Sequence, residues 1–175
     1  MTKAIEKLRE YGYELPSANP PVASYLPVCR SGNLLYISGQ LSTGEGGVVE
    51  GRLGDTMNVV QGGNAAELAA VNILAQIVHN GGVDLDDVKR VVKLSVLVSA
   101  TPEFTEHHLV ANGASNLLVG VLGDKGKHAR AAYGVAGLPL GAAVEIEAII
   151  EVYLCQSSLS TVPSPIAACM TAKPV

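Results

Sequence analysis

Tryptophan is absent, phenylalanine occurs once, and aromatic residues make up only 4% of the 175 residues. So few flat rings leave little surface on which unpaired bases stack. A basic excess is missing too: 12 Lys+Arg stand against 16 Asp+Glu, a formal charge of −4. Phosphate neutralisation supplies most nucleic-acid affinity, so no nucleic-acid partner is expected. No apolar run reaches the ~18 residues of a membrane span, so no membrane partner is expected either. The three cysteines, Cys29, Cys155 and Cys169, are odd in number and lack Cys-x-x-Cys spacing. A disulfide framework and a structural zinc site are thereby disfavoured, and a reducing compartment is the simpler reading. Met1 to Glu10 has no apolar centre of the signal-peptide kind and carries two glutamates, so a cytoplasmic location is expected.

What is present is apolar bulk. Hydrophobic residues are 48% of the chain against 16% charged, and mean hydropathy is +0.30. The length suits one domain with a full core, and the low charge predicts apolar surface buried between subunits. Thr2 to Tyr13 reads as a short surface helix ended by Pro16. Leu34 to Ser38 reads as a strand, and the glycine-rich stretch Thr43 to Gly54 as a hairpin or loop. Leu68, Val71, Leu74 and Val78 recur on one helical stripe, predicting a helix from about Val59 to His79 that ends at Asn80-Gly81-Gly82.

Val88 to Val98 alternates as a strand, with Val92, Leu94, Val96 and Val98 expected on one face and Val91, Lys93, Ser95 and Leu97 on the other. Thr101-Pro102 is expected to open a second helix, with Glu103 and Glu106 in its first turn, running towards Leu118. Arg130 to Val135 and Val144 to Leu154 read as two closing strands. The order predicts an α+β domain with helices on one face of a mixed sheet. The other face, with Leu35, Ile37, Val91, Leu97 and Ile149 as its candidates, is expected to pack against other subunits. Residues 1–20 read as an N-terminal extension with its short helix, 21–154 as the domain, and 155–175 as a flexible tail.

Several chemical motifs fail. The Gly44-x-Gly46 stretch meets Val49 where a dinucleotide loop needs its third glycine, and Gly126-Lys127 lacks the first glycine of a P-loop. His107 and His108 are adjacent, so on a helix they diverge by roughly 100° and cannot share a metal. They are expected at the surface. No Gly-x-Ser-x-Gly elbow occurs, and no cofactor or metal is expected.

The informative residues are His128-Ala129-Arg130-Ala131-Ala132, then Leu138-Pro139, then Val144-Glu145-Ile146-Glu147. Together with Tyr25, Leu35 to Gln40 and Asn112, they resemble the reactive-intermediate deaminase superfamily (RidA/YjgF) over about Ala23 to Val152. The subtype resembled is a longer, less characterised one, marked by Asn112-Gly113-Ala114-Ser115 and His-Ala-Arg. The resemblance implies a chorismate-mutase-like mixed β-sheet with two helices packed on one face. It also implies a homotrimer around a central sheet barrel, with clefts between subunits. Deaminating members hydrolyse 2-imino and enamine acids to 2-oxo acids and ammonia. Residue by residue, Arg130 would hold the substrate carboxylate and Glu145 would place water. Tyr25, Ser38, Gly39, Asn112 and Ala132 would line the cleft. Where deaminating members have Arg-Ser-Cys, this chain has Arg130-Ala131-Ala132, so the cleft cysteine is missing.

The chemistry of those residue types agrees. An imine carbon is already electrophilic, so its hydrolysis needs a held carboxylate, a placed water and proton transfers. Arg130 and Glu145 could meet on one face if their strands pair as neighbours. A non-catalytic protein binding small carboxylates is the alternative. An endoribonuclease or translation inhibitor fits the acidic balance poorly.

Overall fold

In the computed structural model, residues 2–17 and 25–153 are described; the tail expected over 155–175 lies outside them. Helix α1 (Lys3–Glu10) comes first, followed by strands β1 (Val28–Ser31) and β2 (Leu34–Leu41). A small hairpin of β3 (Thr43–Gly44) and β4 (Gly47–Val48) leads into α2 (Val59–His79). Then come β5 (Val88–Ser99), α3 (His107–Leu122), β6 (Ala129–Val135) and β7 (Val144–Val152).

The main sheet has five strands in the order β1-β2-β7-β5-β6. Among the described residues β5 pairs with β6 in parallel, and the other neighbours are antiparallel. This corrects two expectations. Among the described residues the sheet stays open, with β1 and β6 at its edges, so it closes into no barrel. There are three α-helices among the described residues, not two: α2 and α3 cover one sheet face, and α1 buries Ala4 and Leu8 in the same core. The short α1 is held in place from afar, because the backbone N–H groups of Lys3 and Ala4 donate to the Asp86 carboxylate at 3.1 and 3.2 Å. Tyr13 beyond it donates its hydroxyl to Glu67 at 2.7 Å.

Local sequence explains α2 best. Asn58 and Gln61 form a reciprocal capping box at its start, at 2.9 and 3.0 Å, satisfying donors that helix starts otherwise leave open. Its alanine-rich face (Ala65, Ala66, Ala69, Ala70) is fully buried, which lets the neighbouring backbones approach closely. β5 departs from simple alternation. Its pairing with β7 shifts between Val91 and Lys93, so Val91, not Val92, enters the core. A bulge turns over the faces on either side of it. Leu35 and Ile37 of β2 are buried on the helix side with Val91, and of the expected set Leu97 and Ile149 occupy the other face. The start of α3 also differs. Thr101 donates its backbone N–H to Leu53 at 2.9 Å, and the chain runs irregularly until His107. Glu103 and Glu106 therefore precede the helix, with Glu106 at its N-cap.

Candidate functional site

Arg130 lies near the start of the edge strand β6, opposite Leu94 of β5. Leu94 is fully buried beneath the helices, so Arg130 points to the same side. Its guanidinium reaches α3 and is held there by three bonds. Nη1 donates to Asn112 Oδ1 at 3.0 Å and to Ser115 Oγ at 2.9 Å, and Nη2 donates to the His108 carbonyl at 3.2 Å. Five N–H donors minus these three leaves two, on Nε and Nη2, with no acceptor among the described residues. That is the donor number with which arginine grips a carboxylate in two parallel bonds.

Behind the arginine stands a second layer that sequence reasoning did not assign. His128 places Nδ1 2.6 Å from the Gly126 carbonyl and Nε2 3.0 Å from Ser115 Oγ. A carbonyl only accepts, so the proton sits on Nδ1 and the bare Nε2 accepts from the serine hydroxyl. Ser115 in turn accepts from Arg130. Burial holds the His128 pKa below its ordinary value, and the nearby Arg130 charge pushes the same way, against the Gly126 bond. The neutral ring required by the chain of bonds is thus the favoured form. The i, i+3 spacing of Asn112 and Ser115, both facing one arginine, was the available signal.

Glu145 begins β7, opposite Leu41 of β2 and Leu97 of β5. Leu97 faces away from the helices, and Glu145 does the same. Its carboxylate lies against the Cα of Gly39, where an added Cβ would overlap Oε1 and stand 2.7 Å from Cδ. Gly39 gives this room because β2 bulges between Ile37 and Gln40. The bulge is tied by Gln40, whose Nε2 donates to the carbonyls of Ser38 and Gly39 at 2.9 and 3.2 Å. Gln76 of α2 donates to Gln40 Oε1 at 3.1 Å and anchors it. Partial burial raises the Glu145 pKa above the ordinary carboxylate value, and the like charge of Glu147 adds to the rise. Ser38 donates its hydroxyl to the Leu26 carbonyl at 2.8 Å, next to the exposed Tyr25.

The expected residues therefore fall into two groups. Asn112 and Ala132 join Arg130 on the helix side, Ala132 two residues further along β6. Ser38 and Gly39 lie with Glu145 at β2, and Tyr25 precedes the Leu26 to which Ser38 is bonded. The two groups do not meet within one chain. β5 separates β6 from β7, so the condition under which Arg130 and Glu145 could meet, that their strands pair as neighbours, is not met. Arg130 is two strands and three residues away from Glu145, about 14 Å between backbones, and on the opposite face. β6 pairs in parallel with β5, as an edge, and no local pattern announces that placement.

A mixed sheet carrying helices on one face, with a pinned arginine at its edge and a partly buried carboxylate on its bare face, defines a class of small α+β proteins. The family comparison names that class. Residues 6–154 match the family described as "YjgF/chorismate_mutase-like, putative endoribonuclease", and the chain belongs to this RidA/YjgF superfamily. It is 46% identical over 151 residues to Protein TCP17 of Trypanosoma cruzi, covering 85% of this chain and 94% of that one. The crystal structure of Atu1372 from Agrobacterium tumefaciens, a protein of unknown function, superposes with a TM-score of 0.81 at 48% identity, over 87% of this chain and 94% of that one. RidA from the Antarctic bacterium Psychrobacter sp. PAMC 21119 gives a TM-score of 0.55 at 31% identity, over 78% and 94% of the two chains.

Proposed function

We propose that this protein hydrolyses reactive 2-imino and enamine acids to 2-oxo acids and ammonia, as a homotrimer with its sites between subunits. The observation that carries the reading is Arg130, locked by three bonds with two donors left over. Membership of the RidA/YjgF superfamily supports it. Because Arg130 and Glu145 of one chain face opposite ways, the site pairs the Arg130 group of one protomer with the Glu145 group of another. Tyr25, Ser38 and Gly39 accompany Glu145, and Asn112 and Ala132 accompany Arg130.

The chemistry follows from the two groups. Arg130 holds the substrate carboxylate and so fixes the adjacent C=N carbon in place. The Glu145 carboxylate accepts a hydrogen bond from water and takes its proton as the oxygen attacks that carbon. Passing that proton to nitrogen gives the carbinolamine, and transfer of its hydroxyl proton to the amine then lets the C–N bond break as the C=O bond forms. Water is consumed, and ammonia and the 2-oxo acid leave. The Ala132 methyl stands where deaminating relatives carry a thiol, and this favours one second reading, a cleft that binds small carboxylates without turnover.

The deciding experiment generates 2-iminobutanoate or 2-iminopropanoate enzymatically and follows its loss. Acceleration over buffer is expected, and Arg130→Ala should abolish it while leaving the assembly intact in light scattering. Saturable 2-oxobutanoate binding with no acceleration would establish the second reading instead.

A further inference from the structure

Past the Arg130 group, a depression of about 310 Å3 opens between the Arg52 segment, residues 100–107 and the far end of β6. Three polar side chains line it: Arg52, Thr101 and His107. Among the described residues, none of the three has a hydrogen-bond or ion-pair partner for its side chain. Arg52 is the clearest case, because its Nε is shut off from solvent and still unpaired. Leaving a charged donor desolvated and unpartnered is costly, so such groups ordinarily signal something that binds them.

The surroundings make these groups rigid. Arg52 donates its backbone N–H to Thr56 at 2.9 Å, and its carbonyl accepts from Met57 at 3.0 Å. The next residue, Leu53, is fully buried and bonded to Ser99 and Thr101 through its backbone. His107 is packed edge-on against Phe104, with ring centroids 5.1 Å apart, and against Gly134 of β6. The remaining walls are apolar, chiefly Phe104, Pro102 and Val135, and no acidic side chain lines the depression.

We infer that this depression is an anion site, in which Arg52, His107 and Thr101 hold the carboxylate of a small organic acid whose apolar chain lies against Phe104 and Pro102. Guanidinium, imidazole and hydroxyl all offer hydrogen-bond donors, which an oxyanion accepts and a cation does not. The apolar walls select an acid with a short hydrocarbon chain over a fully polar anion such as phosphate. The depression runs on past the Arg130 group, which it adjoins through His107, the neighbour of the His108 whose carbonyl accepts from Arg130. Val135 lies five residues beyond Arg130 on β6, about 16 Å along the strand.

The test uses the full-length Arg130→Ala protein, so that no carboxylate is held at Arg130. Butanoate, titrated by calorimetry and by the His107 imidazole resonances, is expected to saturate at one site per chain. Adding Arg52→Gln should weaken it at least about tenfold, as for loss of a charged hydrogen bond. His107→Gln should also weaken it, and Arg52→Lys should retain part of the affinity. Absence of saturable butanoate binding in Arg130→Ala overturns the inference, as does binding that Arg52→Gln leaves unchanged. Inorganic phosphate binding tighter than butanoate overturns the choice of ligand. If Arg52→Gln instead dissociates the oligomer and no ligand binds, Arg52 is a subunit contact and the inference fails. None of these outcomes depends on imine turnover.

Discussion

A carboxylate half withdrawn from water beside another carboxylate holds its proton more tightly, and Glu145 is in that position against Gly39 and Glu147. Water placement needs the ionised form, so imine hydrolysis should fall on acidification with a midpoint above the ordinary glutamate value of about 4.3. Glu147→Gln removes the like charge and should move that midpoint to lower pH in a pH–rate profile. Gly39→Ala should be tolerated by the fold, because the three atoms nearest the added Cβ, Oε1, Cδ and Cγ, all belong to the flexible Glu145 side chain. It should nonetheless depress turnover by displacing the carboxylate, with little change in melting temperature. His128 has the opposite linkage. Its folded pKa lies below the unfolded value, so the unfolded chain binds the proton more readily. Its stabilisation is whole above about pH 6.5 and is lost as pH falls through the lower folded value. Thermal melts between pH 8 and 5 should show this slope, and His128→Asn should flatten it.

At the scale of elements, α3 matters because Asn112 and Ser115 both hold Arg130. The helix sits very close to α2. A Cβ at Gly113 would overlap the Gly63 carbonyl and stand 3.1 Å from its Cα. Here the obstacle is backbone, which has no rotamer to retreat to. Gly113→Ala should therefore destabilise by about 1–3 kcal/mol in urea unfolding, the usual cost of overpacking. Because it pushes α3 outward, it should also weaken carboxylate binding. The elements differed in how legible they were. α2 was read from Val59 to His79 because its stripe, cap and terminal glycines are all local. The bulge of β5 and the late start of α3 were not, because each answers to a partner distant in sequence. Val91 turns inward where β5 loses register with β7, and Thr101 is drawn to Leu53 instead of opening a helix.

At the scale of the whole molecule, one sheet face has no helix over it among the described residues. Tyr36 and Tyr133 stand 44% and 45% exposed there, beside the partly buried Leu97 and Ile149. Apolar surface of this kind is ordinarily covered by another subunit. Light scattering of the 18.0 kDa chain should give a trimer. Ile149→Lys, opposite Tyr36 and Lys93 in the sheet, should yield folded monomers that have lost imine hydrolysis, since the two site groups then never meet. Monomers that keep full activity would refute the shared cleft. The amino-acid order alone determined the α+β class, the span of α2 and the two closing strands, and offered Arg130 and Glu145 as candidates, because periodicity and short motifs are properties of neighbouring residues. Only the tertiary structure decided that β5 lies between those two residues and turns them to opposite faces. Strand order and register are long-range pairings, and no local pattern encodes them.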